Sequence, residues 1–361
     1  GDRNFRLPGL GAYLQEAANR GNLESIAWGL GALILIIVTL DQLVWRPLLA
    51  WSERFTVSLV ENDNPLTSWF YNALRSSRLL NAFLRGVRPP FVKLDEWLTQ
   101  RLPVADVMAP PRRHIPWFWY PVGAAAALGL FYGGVRAAGM LWTLRLEQWG
   151  DIALGVLVTL LRVVAALIIA LGWTIPAGVA IGSNPRLATW LQPVVQIAAS
   201  VPATALFPIL LLLVIGLPGG LNLAAILLML LGTQWYLLFN IIAGASAIPR
   251  ELRYTADLLK LSRWERWRSL VLPAIFPYTI TGAIAASGGA WNASVVAEYA
   301  QFGGQTYHTV GVGALIAQAT GSGDFPLLLA ATLSLILAVV TLNRLFWQRL
   351  YRLAEERYRL D

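Results

Sequence analysis

The chain is 361 residues long, 57% hydrophobic and only 13% charged, with a formal net charge of +8 and a mean hydropathy of +0.57. A soluble domain carries about 25% charged residues, so the composition excludes a soluble globular protein. The basic residues flank apolar runs instead of forming a domain of their own, which argues against a nucleic-acid partner, and with no cysteine and only His114 and His308 there is no thiol chemistry, disulfide framework or histidine-rich metal site.

The beginning of the chain returns near its end. Gly9-Leu10-Gly11-Ala12 corresponds to Gly311-Val312-Gly313-Ala314 at an offset of 302, and the same offset pairs Ala17 with Ala319 and Gly21 with Gly323. It continues through Leu33-Ile34-Leu35 with Leu335-Ile336-Leu337 and Val38-Thr39-Leu40 with Val340-Thr341-Leu342, then Trp45 with Trp347 and Leu48 with Leu350. Residues 1–57 therefore read as the tail of one unit with its last transmembrane helix, and 115–361 as a second unit of six transmembrane helices; the rest of the first unit is expected ahead of residue 1. Between them, 58–114 reads as a linker. Within it Thr67 to Arg88 has a helical pattern, with Arg75, Arg78 and Arg85 near one face and Phe70, Leu74 and Phe83 off it. Such a helix suits an anionic membrane surface or packs on the protein's own face, and Pro89-Pro90 ends it.

Apolar runs of roughly 20 residues, long enough to cross a bilayer core as helices, predict spans at 24–45, 116–136, 152–181, 189–216, 221–243, 275–296 and 325–343. The expected fold class is all-α, a polytopic transmembrane helical bundle. Pro176, Pro202 and Pro208 in the third and fourth spans mark places to bend or break. With 250–273 placed in the cytoplasm, segments 46–114, 183–186, 250–268 and 344–361 on that side hold 22 basic residues against five outside. By the positive-inside rule the loop, the linker and the C-terminus are cytoplasmic.

The most charged segment between two long apolar runs is 250–273. Leu252, Ala256 and Leu259 lie along one face of a short helix, with Arg253 and Asp257 off it. Ser262 and Glu265 have the spacing of a capping box that starts a second helix, and Pro273 opens the next span. There is no phosphate-binding loop and no Ser/His/acid arrangement, so ATP hydrolysis on this chain is not expected. Candidates for a translocation path are the polar or amphipathic residues in or at the ends of spans: Arg162, Gln234, Asn240, Ser287, Trp291, Asn292, Ser294 and Glu298. Arg162 either lines a path or pairs with backbone carbonyls or with Glu298. Asn292 and Ser294 serve equally as helix-packing groups. Glu298 is expected to face water at the outer end of its helix.

The loop resembles the EAA loop of permease subunits in binding-protein-dependent ABC importers, whose pattern is Glu-Ala-Ala, three residues, Gly, nine residues, Ile, one residue, Leu-Pro. Tyr254-Thr255-Ala256, Lys260, Leu270 and Leu272-Pro273 occupy those places with the spacing kept. The flanking Ile248-Pro249-Arg250-Glu251-Leu252 and Leu261-Ser262-Arg263-Trp264 are also similar. Thr159-Leu160-Leu161-Arg162, Ser200-Val201-Pro202, Leu206-Phe207-Pro208 and Val295-Val296-Ala297-Glu298 resemble the nitrate/sulfonate/taurine/bicarbonate branch. The resemblance implies a type I importer permease fold in a bacterial inner membrane, with both halves of the permease dimer fused. It implies ABC ATPase subunits as partners, which carry the ATP and magnesium, and a periplasmic or lipid-anchored solute-binding protein; the chain itself needs no cofactor. The coupling residues would be Glu251, Tyr254, Thr255, Ala256, Lys260, Ser262, Leu272 and Pro273. Lys260 stands where the family has glycine, which implies an altered contact in this half and unequal coupling of the two halves. A secondary transporter built on repeats or a non-transporting membrane scaffold are the other classes considered. The first would need ion-coupling carboxylates deep in its spans.

Overall fold

The computed structural model describes residues 8–52, 69–77, 119–302 and 304–358. The first part of the chain forms α1 (Leu10–Asn19), α2 (Leu23–Leu40), a π-helical turn Asp41–Trp45, α3 (Arg46–Ser52), α4 (Trp69–Ser76) and α5 (Trp119–Trp142). Then come α6 (Leu146–Ser183), α7 (Pro185–Ser200), α8 (Ala203–Val214), α9 (Gly220–Ser246), α10 (Arg250–Leu258) and α11 (Arg263–Arg266). A second π-helical turn, Trp267–Val271, leads into α12 (Leu272–Ala297), followed by strands β1 (Tyr299–Phe302) and β2 (Gln305–His308). The chain continues as α13 (Val312–Ser322), α14 (Phe325–Leu342), a π-helical turn Asn343–Trp347 and α15 (Gln348–Tyr358). Residues 1–33 with 133–361 form one compact unit and 34–132 another.

Among the described residues six helical runs are long and apolar enough to cross a membrane, and α7 with α8, bent by 83° at their junction, forms a broken span or a re-entrant loop. The multi-span helical expectation is thus met. The break falls at Pro202, because Val201, ahead of a proline, is held extended at φ −72, ψ 121. Pro176 does not break its helix: α6 runs through it for 38 residues. Beyond it α6 packs closely on α9, where a Cβ on Gly178 would lie 2.7 Å from Ile241 Cγ2 and one on Gly182 2.5 Å from the Ile242 carbonyl. Small residues bring these helices together. Val163, Ala166 and Ala170 of α6, Ala224, Leu228 and Ile241 of α9, and Ala283, Ala286 and Ala290 of α12 are buried in one core.

The antiparallel pair β1–β2 was not foreseen. It has four residues a side, with Gly304 at φ +75 in the turn, too short to register against a helical background. In the smaller unit, Arg46 pairs with Asp41 at 3.0 Å. Of the helix expected over Thr67–Arg88, only Trp69–Ser76 is seen; Arg78, Phe83 and Arg85 lie outside the described residues.

The offset of 302 also holds for the three-dimensional elements. α2 and α14 start and end at corresponding residues, as do the π-helical turns Asp41–Trp45 and Asn343–Trp347. Gly21 and Gly323 both take left-handed φ values, 64 and 72. Asn22 caps α2 by accepting from Ser25 N, and Asp324 caps α14 by accepting from Leu327 N.

Candidate functional site

Two places concentrate the candidate residues. At the first, α10 follows Pro249 and buries Ala256, while Arg253 donates to the Ala245 carbonyl at 2.7 Å and so ties the helix to the end of α9. Only Ala256 of the expected apolar face is buried: Leu259 is 67% exposed because the helix ends there and turns away. Glu251 is exposed in the first turn, and its carbonyl accepts from Thr255 Oγ1. The C-terminus closes as a Schellman motif, with Leu261 N donating to Ala256 O and Lys260 N to Asp257 O. Lys260, at φ 51, is the non-glycine residue in the left-handed region among those described. A lysine thus sits where a side chain is strained and glycine is not. Lys260→Gly is expected to stabilise the fold by roughly 1 kcal/mol, read as a rise in melting temperature; no change or a fall would contradict this reading of the turn.

The capping box is present: Ser262 N donates to Glu265 Oε2 at 2.8 Å and Glu265 N to Ser262 Oγ at 3.3 Å. An Asp257–Arg266 ion pair joins α10 to α11; both groups are exposed, so it adds little. Pro273 does not start a separate span, as the sequence had indicated. The helical run is continuous from Arg263 to Ala297. Pro273 lacks an N–H and would crowd the carbonyl four residues back, and the π-helical turn just before it widens the backbone, with Leu272 N bonding to Trp267 O. The second half of the loop is therefore continuous with α12, and the turn through Lys260 sets α10 against it. Tyr254, Leu258, Leu259 and Trp264 stand exposed on it.

The second place is a buried polar cluster. Arg162 on α6 donates from Nη1 to Glu298 Oε1 at 2.6 Å, and from Nη2 to Asn222 Oδ1 at 2.6 Å and Thr309 Oγ1 at 2.9 Å. Thr159 Oγ1 donates to Glu298 Oε1 at 2.7 Å and accepts from Val312 N at 3.0 Å. Gly313 N donates to Glu298 Oε2 at 2.9 Å. Glu298 is 0% exposed, which corrects the expectation that it faces water. It caps α12 at a point where α6 and the start of α13 close over it. The pairing alternative for Arg162 is the one realised, with Glu298 as partner. A Cβ at Gly311 would collide with the Glu298 carboxyl, and one at Gly313 with the Ser294 carbonyl. Thr159, Asn222, Thr309 and the glycines were not among the candidates. Thr159 and Arg162 are three apart and so share a helix face, which was the available signal for the first.

The other path candidates are dispersed. Gln234 is buried and accepts from Trp173 Nε1 at 3.1 Å. Ser287, Trp291 and Ser294 are buried between helices, with Ser294 Oγ donating to Trp291 O. Asn292 is exposed. Asn240 lines a cavity of about 630 Å³ with Tyr278, Thr281, Tyr351 and Glu355.

Residues 174–360 match the family model described as "Binding-protein-dependent transport system inner membrane component". The chain belongs to this family. The matched region holds the loop, α12 with Glu298, and the α13–α15 segment. This family member is 31% identical over 147 residues to the nitrate import permease protein NrtB of Synechococcus elongatus, covering 41% of this chain and 51% of that one. It is 30% identical over 158 residues to the bicarbonate transport system permease protein CmpB of the same organism, covering 44% and 54%. With the taurine transport system permease protein TauC of Escherichia coli it shares 29% identity over 140 residues, covering 39% and 50%. The chain spans about half the length of these curated relatives, and they fall on the branch that the motifs around Arg162 and Glu298 resemble.

Proposed function

We propose that the chain is the permease part of an ATP-driven importer for a small anion of the nitrate, bicarbonate or sulfonate kind. In this reading 115–361 is one permease unit, 1–57 ends another, and 58–114 joins them on the cytoplasmic side. The unbroken helical run from Arg263 in the loop to Ala297 in the membrane-spanning segment carries the proposal. Tyr254, Leu258, Leu259 and Trp264 offer apolar contacts on a charged element, the kind of surface that docks in a groove of an ATPase subunit. Movement of that subunit would pass through α11 into α12 without a hinge, as a two-state transporter requires. ATP and magnesium would belong to the ATPase, and a solute-binding protein would deliver the anion from the other side.

Glu298 supports this class over an ion-coupled transporter. Its oxygens are taken by Thr159, Arg162 and Gly313, the arrangement of a brace and not of a carboxylate that exchanges ions. Affinity purification from the native membrane is expected to recover a nucleotide-binding subunit with the wild-type chain. Recovery should be lost when 250–268 is replaced by a flexible linker. Equal recovery from both would overturn the docking role.

A further inference from the structure

We propose that Gly9-Leu10-Gly11 is a cradle for a buried carboxylate, carried by the preceding permease unit of the same polypeptide at the place corresponding to Glu298. This rests on the tandem reading above and adds a specific contact to it.

In the second copy of the repeat the role of each glycine is visible. Gly311 and Gly313 are buried, and a side chain on either would strike Glu298 or the Ser294 carbonyl. Without side chains there, Val312 N reaches Thr159 Oγ1 and Gly313 N reaches Glu298 Oε2. A carboxylate at this helix start is favoured by the amides and by the helix dipole.

In the first copy no described residue covers the same backbone. Gly9 has φ 171 and ψ 169, Gly311 φ 174 and ψ 155; these are extended angles that any residue adopts, so conformation does not call for glycine. A Cβ at Gly9 or Gly11 meets no atom within 4 Å, and both residues are exposed. Gly11 lies inside α1, where glycine weakens a helix relative to alanine. No side chain among the described residues accepts from Leu10 or Gly11. Yet the hydrogen bonds that frame this helix are kept: Tyr13 N bonds to Gly9 O as Leu315 N bonds to Gly311 O. Asn22 N bonds to Ala17 O as Asp324 N bonds to Ala319 O, and the two caps match. The glycine pair is therefore shaped for a group like the one that fills its counterpart.

The offset also locates that group. The counterpart of Glu298 falls just ahead of Gly1, which itself corresponds to Gly303, with only the counterparts of the four residues of β1 between. An acidic residue is expected there, at the end of an apolar helix, with a Thr-x-x-Arg helix upstream to pair with it as Thr159 and Arg162 do here.

Hydrogen–deuterium exchange on the full-length protein tests this. The amides of Leu10 and Gly11 are expected to exchange at least about tenfold more slowly than free helix-start amides, as a charge-assisted bond implies. Changing the upstream acid to alanine should remove that slowing and leave Val312 and Gly313, the internal check on folding, unchanged. The amide variant, which keeps an acceptor oxygen, should retain part of it. A preceding permease unit with no acid at that place would overturn the cradle while leaving the tandem reading intact. So would fast exchange at Leu10 and Gly11, or slowing that survives the alanine change because a second copy or a lipid phosphate covers them. If no permease unit precedes, the tandem reading itself falls.

Discussion

Glu298→Ala is expected to destabilise the protein by about 3–5 kcal/mol, because it leaves the Arg162 guanidinium buried without its counter-charge. The same change removes the acceptor for Gly313 N and the partner of Thr159 Oγ1, so α6, α12 and the start of α13 lose a common anchor. Arg162→Met alone should cost a similar amount. The double variant Arg162→Met/Glu298→Leu should recover part of the loss, since neither charge is then stranded. Melting temperatures of the three variants in one detergent decide the matter. A single variant as stable as wild type would show that the pair is not the brace described here.

Leu258→Asp combined with Trp264→Asp is expected to cut ATP-driven uptake by at least about tenfold, a loss typical of removing central apolar anchors from an interface. The two residues are 64% and 70% exposed, so stability should move by no more than about 0.5 kcal/mol. Activity and folding therefore separate. Retained uptake would remove these residues from the docking surface.

The spans and the loop were legible because their signals are local: apolar runs and the Ser262–Glu265 spacing. The repeat was legible too, down to corresponding helix ends. Proline was a less reliable guide. Pro202 breaks its span because the residue ahead of it is forced extended, whereas α6 runs unbroken through Pro176. The role of Glu298 was not readable. Its partners come from 136 to 139 residues upstream and 15 downstream, and nothing near it in sequence tells a helix-end carboxylate that faces water from one that a distant helix covers. Gln234, Ser287 and Ser294 were chosen for polarity inside apolar runs, but polarity does not distinguish a group that faces a path from one that packs between helices.

The central claim is that ATP, hydrolysed by a partner docked on 250–273, drives solute through this chain. Proteoliposomes holding the full-length permease, its co-purified ATPase and its solute-binding protein test it most directly, with labelled nitrate, bicarbonate and taurine as solutes. Uptake of one of them is predicted to require ATP on the ATPase side and to cease when 250–268 is replaced by a flexible linker. Uptake driven by an ion gradient with no ATPase present would contradict the account.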